Sequence, residues 1–159
     1  MNVSFTVHSV PVGQPRARAT AIGGHARMYS PTTTKKGGIP QPHPIVEFKH
    51  AVVMAFKATK SARFDGPTGV TVRAFFPRPK NRPADGPPKD VWKSGLPYRH
   101  TKKPDRDNLD KAILDALTGK AWADDKQVCC GMIEKLVCGV SETPRVEIHI
   151  TEMGWFEYT

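Results

Sequence analysis

Two stretches of this chain offer little to a hydrophobic core, and they dictate what the rest can form. Residues 11–44 are crowded with Gly, Pro and Thr, and residues 77–104 hold seven prolines. Proline removes a backbone donor and fixes φ, so long helices and central strands are excluded there. Loops of this length in a compact domain carry function or lack fixed structure. A short hairpin around Gly23-Gly24 is the regular element expected in the first stretch. Trp92 and Tyr98 in the second either stack on bases or pin the loop to the body, and pinning is the simpler reading.

The apolar material is left in short blocks. Val3 to Ser9 alternates apolar and polar residues as a half-buried strand does. Pro44 to Lys60 repeats apolar residues at helical spacing through Val46, Val53 and Phe56. Thr68 to Phe76 reads as a strand and Asp107 to Thr118 as a helix stopped by Gly119. Val128 to Val140 and Arg145 to Thr151 read as two strands joined by a turn at Ser141-Glu142-Thr143-Pro144. The order β-α-β-α-β-β predicts one α+β domain over residues 1–159, a mixed sheet with helices on one face. No apolar run approaches the ~20 residues of a membrane span, and Met1 to Val7 lacks the features of a signal peptide, so a cytoplasmic protein is expected. Cys129, Cys130 and Cys138 make a poor disulfide or zinc framework and are expected reduced.

Charge is divided along the chain. The net charge is +9, made of +7 over residues 1–60, +7 over 61–103 and −5 over 104–159. A basic body attracts a polyanion, usually nucleic acid. The acidic last third is either a solvated face or a pocket where a cation stands between carboxylates and phosphate.

The acids have an order that favours the pocket. Asp105 and Asp107 stand just before the second helix, Asp110 and Asp115 within it, and Asp124 and Asp125 after it. Mg²⁺ takes oxygen ligands and keeps several waters, so two or three carboxylates suffice. An extended backbone would point Asp105 and Asp107 the same way, and the chain after the helix could fold back to bring Asp124-Asp125 beside them. At about 100° per residue, Lys111 and Asp115 lie within about 80° of Asp107, opposite Leu109, Ala112, Ile113, Ala116 and Leu117. Structural alternatives stand beside this reading. Asp107 suits a helix N-cap, Asp110 a capping box, and Lys111 with Asp115 an i, i+4 pair.

The run Pro104-Asp105-Arg106-Asp107-Asn108-Leu109-Asp110-Lys111, then Asp115-Ala116-Leu117 and Trp122-Ala123-Asp124-Asp125-Lys126-Gln127-Val128, resembles the signature of RusA-type Holliday junction resolvases. Weaker similarity covers Val10 to Arg18 and Arg27 to Pro31. The resemblance implies a dimeric, Mg²⁺-dependent endonuclease, with Mn²⁺ as a substitute, that cuts four-way DNA junctions by paired incisions in recombination and repair. It assigns Asp105, Asp107 and Asp125 as essential metal-site carboxylates, Lys111 as the important lysine and Asp124 as an adjacent acid of lesser weight. Arg16, Arg18, Arg27, Lys35, Lys36, Arg78, Lys80, Arg82, Lys102 and Lys103 are expected to hold the DNA backbone, from their charge and loop positions. A homodimer matches the two-fold symmetry of a junction. The competing readings are a relaxed branched or flap DNA nuclease and an inactive DNA-binding module.

Overall fold

The computed structural model describes residues 1–15, 18–22, 25–29, 33–34 and 40–155, with side chains described for 1–15 and 41–155. Strands β1 (Asn2–Val7), β6 (Thr68–Phe76), β7 (Tyr98–Arg99), β8 (Val128–Val137) and β9 (Arg145–Glu152) form one sheet in the order β1-β9-β6-β8-β7. β8 runs parallel to β6 and the other pairings are antiparallel, so the sheet is mixed as expected. Helices α1 (Ile45–Ala58) and α3 (Arg106–Leu117) pack on each other and on the sheet. Two small ladders lie apart: β2 (Arg18–Ile22) with β3 (His25–Tyr29), and β4 (Thr33–Thr34) with β5 (Pro40–Gln41). The first supplies the two antiparallel strands of the expected hairpin, with Ile22 facing His25, while Gly23-Gly24 lie outside the described residues.

The core follows from alternation. Val3, Phe5 and Val7 of β1 face Ile150, Ile148 and Val146 of β9, which face Val70, Val72 and Ala74 of β6. These ladders and the buried stripe Leu109, Ala112, Ile113, Ala116 and Leu117 of α3 share one hydrophobic cluster. The helix wheel placed that stripe correctly. In α1 the period holds but the phase differs. Ile45, Phe48, Val52 and Phe56 are buried, while Val46 is 58% exposed. The bulkier set faces the sheet because a phenylalanine buries more apolar area than a valine.

β8 and β9 are consecutive yet unpaired with each other, contrary to the simplest reading of the Ser141–Pro144 turn. β6 lies between them. The reason is visible in β6, whose nine residues are almost all buried; a strand so apolar takes a partner on each edge. The β6–β8 approach is close at Gly131, where a Cβ would stand 2.3 Å from the Val70 carbonyl oxygen. Gly131→Ala should therefore lower stability by about 1–3 kcal/mol through overpacking. A denaturant midpoint equal to wild type would contradict this.

Residues 77–104 are more structured than proline content suggested, with α2 (Lys89–Lys93) and β7 inside them. Arg78 is the staple. Its guanidinium lies 4.3 Å from the Trp92 ring centroid and 5.5 Å from that of Tyr98. It donates to the carbonyls of Trp92 at 2.7 Å, Leu96 at 3.2 Å and Cys138 at 3.2 Å. Trp92 and Tyr98 thus pin the loop. Among the described residues no helix is long and apolar enough to cross a membrane.

Candidate active site

The site forms where the chain after β1 crosses the start of α3. The Gln14 backbone N–H donates to the Asn108 carbonyl at 2.7 Å. Gly13 makes this crossing possible, because a Cβ there would meet Pro104 Cβ at 2.5 Å. A cleft of about 800 Å³ remains between this segment and Lys103, Pro104 and Asp105. Beneath it, Lys135 of β8 reaches up from the core-facing register, beside Ala74. Its amine donates to the carbonyls of Lys102 at 2.6 Å and Pro104 at 2.5 Å. Burial pushes this amine below the usual lysine range, and the negative charge of Asp105 opposes the shift.

Asp105, not Asp107, takes the N-cap position of α3. Its backbone is extended (φ −65°, ψ 152°), and its side chain makes no capping bond. Asp107 lies in the first turn and is exposed. Both carboxylates therefore sit at the positive end of the helix. Lys111, one turn on, is exposed beside Asp107. Asp115 is not its partner. That carboxylate accepts from Lys49 of α1 at 3.1 Å and ties the two helices together. Asp110 is no capping acid either: with Arg106 and Leu114 it lines a small cavity against β8. Burial raises its pKa, against the pull of Arg106.

Asp124 and Asp125 arrive elsewhere. Trp122 is fully buried and its indole donates to Thr118 Oγ1 at 3.2 Å. Asp124 caps a single 3₁₀ turn, Asp125–Gln127, by accepting from the Lys126 N–H at 3.0 Å. That bond, first among several, holds its carboxyl below the usual range. Gln127 closes a capping box by accepting from the Ala123 and Asp124 N–H groups. Its amide also donates to Phe64 at 3.1 Å and Gly66 at 3.2 Å. Asp125 is left exposed on a turn anchored to the start of β6.

The chain does not fold back to join the three carboxylates. Asp105 and Asp125 lie toward opposite ends of α3, whose twelve residues span about 18 Å. Among the described residues no three His, Cys, Asp or Glu side chains are grouped to hold a metal. One chain thus brings together Asp105, Asp107 and Lys111, with Asp125 apart.

Of the basic residues, Arg16, Lys35 and Lys36 lie outside the described residues, and Arg18 and Arg27 fall on β2 and β3 with side chains outside them. Arg78 holds the loop. Arg82 Nε donates to the Pro87 carbonyl at 2.7 Å, and Lys102 pairs with Asp85 at 2.8 Å. Lys80 and Lys103 are exposed, and Lys103 lines the cleft beside Asp105. Sequence reasoning missed Lys135 and Gln14. The signal for Lys135 was available, since it interrupts the core-facing alternation of Ile133 and Val137.

Comparison with known proteins places these features in one family. The profile for Endodeoxyribonuclease RusA matches residues 9–151. The uncharacterized protein YqaN of Bacillus subtilis (strain 168) is 32% identical over 153 residues, 96% of this chain and 97% of that protein. The matched span runs from the segment crossing α3, through the aspartates, to the last strand, and the chain belongs to the RusA endodeoxyribonuclease family.

Proposed function

We propose that this endonuclease resolves four-way DNA junctions, in recombination and repair, by Mg²⁺-dependent hydrolysis at two sites of a homodimer. Each site takes Asp105, Asp107 and Lys111 from one copy and Asp125 from the other. The observation that carries this reading is the separation of Asp125 from Asp105 along α3 within one chain. The donor set suits the cation: carboxylate oxygens favour Mg²⁺ or Mn²⁺ over softer metals. Two of them stand on one turn, and the third has to come from elsewhere.

The open edge of β8 supports a symmetric partner. β7 pairs with Leu136 and Val137, the His100 N–H adds a bond to the Lys135 carbonyl at 2.9 Å, and among the described residues no strand lies beside that edge from Val128 to Glu134. Met132 on this stretch is 51% exposed. Open edges invite a further strand. Two β8 edges paired antiparallel about Gly131 set Val128 of one copy opposite Glu134 of the other. Asp125 of one copy then approaches the end where Lys135 anchors Asp105 of the other.

Asp105, Asp107 and Asp125 would hold the cation, which when bound would supply Lewis-acid polarisation of the scissile phosphate and a more acidic water. The chain's own residues do the rest. The α3 N-terminus draws the phosphate in. Lys111 offsets charge developing on it. Asp124 and Gln127 fix the turn that presents Asp125. Arg16, Arg18, Arg27, Lys35, Lys36, Lys80 and Lys103 hold the DNA backbones, as does Lys102 once it exchanges Asp85 for phosphate. Arg78 and Arg82 shape the loop beside them. The test is cleavage of a synthetic four-way junction, duplex and flap with Mg²⁺, with Mn²⁺ or with EDTA. Paired cuts in the junction are expected with either cation and none with EDTA. A junction left whole while duplex or flap is cut would end the resolvase reading.

A further inference from the structure

The proline-rich segment builds a cavity of its own, of about 440 Å³, against β7. Its walls are mainly apolar, formed by Pro79, Pro83, Pro87, Val91, Tyr98 and Val137, and Arg99 and Lys102 also border it. The walls are set in advance. Arg78 staples α2 and β7 to the body, and Arg82 ties back to the Pro87 carbonyl. The turn at Gly86 is so tight that a Cβ would stand 2.9 Å from the Pro83 carbonyl oxygen. Lys102 and Asp85, which both line the cavity, hold each other at 2.8 Å.

His100 gives the cavity its chemistry. Its ring stacks on Phe76 with centroids 4.0 Å apart and planes 11° apart. Its Nδ1 is buried and has no hydrogen-bond partner among the described residues. Burial first, then the charges of Lys135 and Lys102, push this imidazole below the usual histidine range. A neutral ring offers one donor and one acceptor nitrogen. Nδ1 is sealed from solvent, so the rest of the ring borders the cavity, and a ligand there meets the imidazole edge that carries the other nitrogen.

We propose that this pocket receives one unstacked nucleobase of the bound DNA, with His100 hydrogen-bonding the base edge. The occupant follows from the lining. Flat apolar walls and a single ring nitrogen fit a planar heterocycle, and aromatic and apolar side chains sandwich extruded bases elsewhere. Residues 77–104 carry eight Lys/Arg against two Asp, which suits the phosphates on either side of that base. The position fits as well. Lys135 ties the Lys102 and Pro104 carbonyls together, so the pocket wall runs directly into Asp105. Unpaired bases are the least costly to extrude, so opening of the branch point on binding gives the enzyme a way to choose its cutting position.

This inference rests on branched DNA as substrate, and the test keeps the two apart. Four-way junctions carrying 2-aminopurine at single positions beside the branch are titrated with the full chain in EDTA. Binding is followed in parallel by anisotropy, and cleavage in Mg²⁺. At one position the emission should rise severalfold on binding. Two variants remove the cause: His100→Phe keeps the stack on Phe76 but loses the ring nitrogens, and Val91→Trp fills the cavity from the exposed side of α2. Each should return the emission close to that of free DNA and weaken binding about tenfold, the equivalent of one hydrogen bond or stack. If wild type binds and cuts the junction with no emission rise at any position, the pocket proposal falls and the resolvase reading stands. A rise that persists in both folded variants also overturns it. Failure of wild type to bind the junction at all overturns both.

Discussion

Asp107→Asn and Asp125→Asn, each inactive alone, should restore cleavage when combined in one dimer. Removing a carboxylate that holds the cation costs about 10³-fold or more in kcat, because such groups act as a unit with the charge they stabilise. Within one chain the two aspartates lie toward opposite ends of α3. If each site draws Asp125 from the other copy, a heterodimer contains one site with both substitutions and one with neither. The intact site cuts one strand. A randomly mixed population has heterodimers as half its dimers, so about a quarter of the wild-type sites are active. The product is a nicked junction and not a pair of resolved duplexes. Co-expression with two different tags and sequential purification isolates the heterodimer and removes the statistical factor. A heterodimer as inactive as its parents would mean that both aspartates serve the same site in cis, and the proposed two-copy site would be abandoned.

The separation of Asp125 from Asp105 within one chain could not be read from the linear sequence, and the reasons are particular. Local patterns were legible. Thr68 to Phe76 is a strand at the expected residues, because its apolar run is bounded by turn residues. The stripe of α3 is buried as its wheel required. Long-range choices were not legible. The turn from Thr118 to Asp124 owes its direction to the Phe64 N–H bonding the Ala121 carbonyl at 2.7 Å and to Gln127 reaching Gly66. Both partners come from residues about 60 positions earlier, so spacing alone left Asp125 free to be imagined beside Asp105. The same limit applies to Asp115, which Lys49 takes from 66 residues away although Lys111 is one turn off. The order of the strands turned on β6 needing two neighbours, a property of burial rather than of adjacency in sequence.

Lys135→Met should lower kcat about 10–100-fold while leaving junction affinity close to wild type. Lys135 acts through its neighbours, by positioning the chain that carries Asp105. Its amine ties the Lys102 and Pro104 carbonyls, and its charge lies beside the Asp105 carboxylate. Methionine fills the same space beside Ala74 with no donor, so two carbonyls lose their partner and Pro104 is released. Leaving such acceptors unpaired costs about 1–3 kcal/mol when they are well buried. These are partly exposed, so the loss of stability should lie at the low end. The larger effect is geometric, since a misplacement of about 1 Å at a reacting group can cost on the order of 10²-fold. If the displaced Asp105 holds the cation as proposed, the Mg²⁺ concentration giving half-maximal rate should rise in the variant. Lys135→Arg keeps charge and donors and should recover part of kcat and of the Mg²⁺ response. A merely structural lysine predicts a different pattern: a lower denaturation midpoint in Lys135→Met, with unchanged kcat and Mg²⁺ dependence for the protein that remains folded. That pattern would remove Lys135 from the site and leave Asp105 held by the crossing of Gly13 and Gln14 alone.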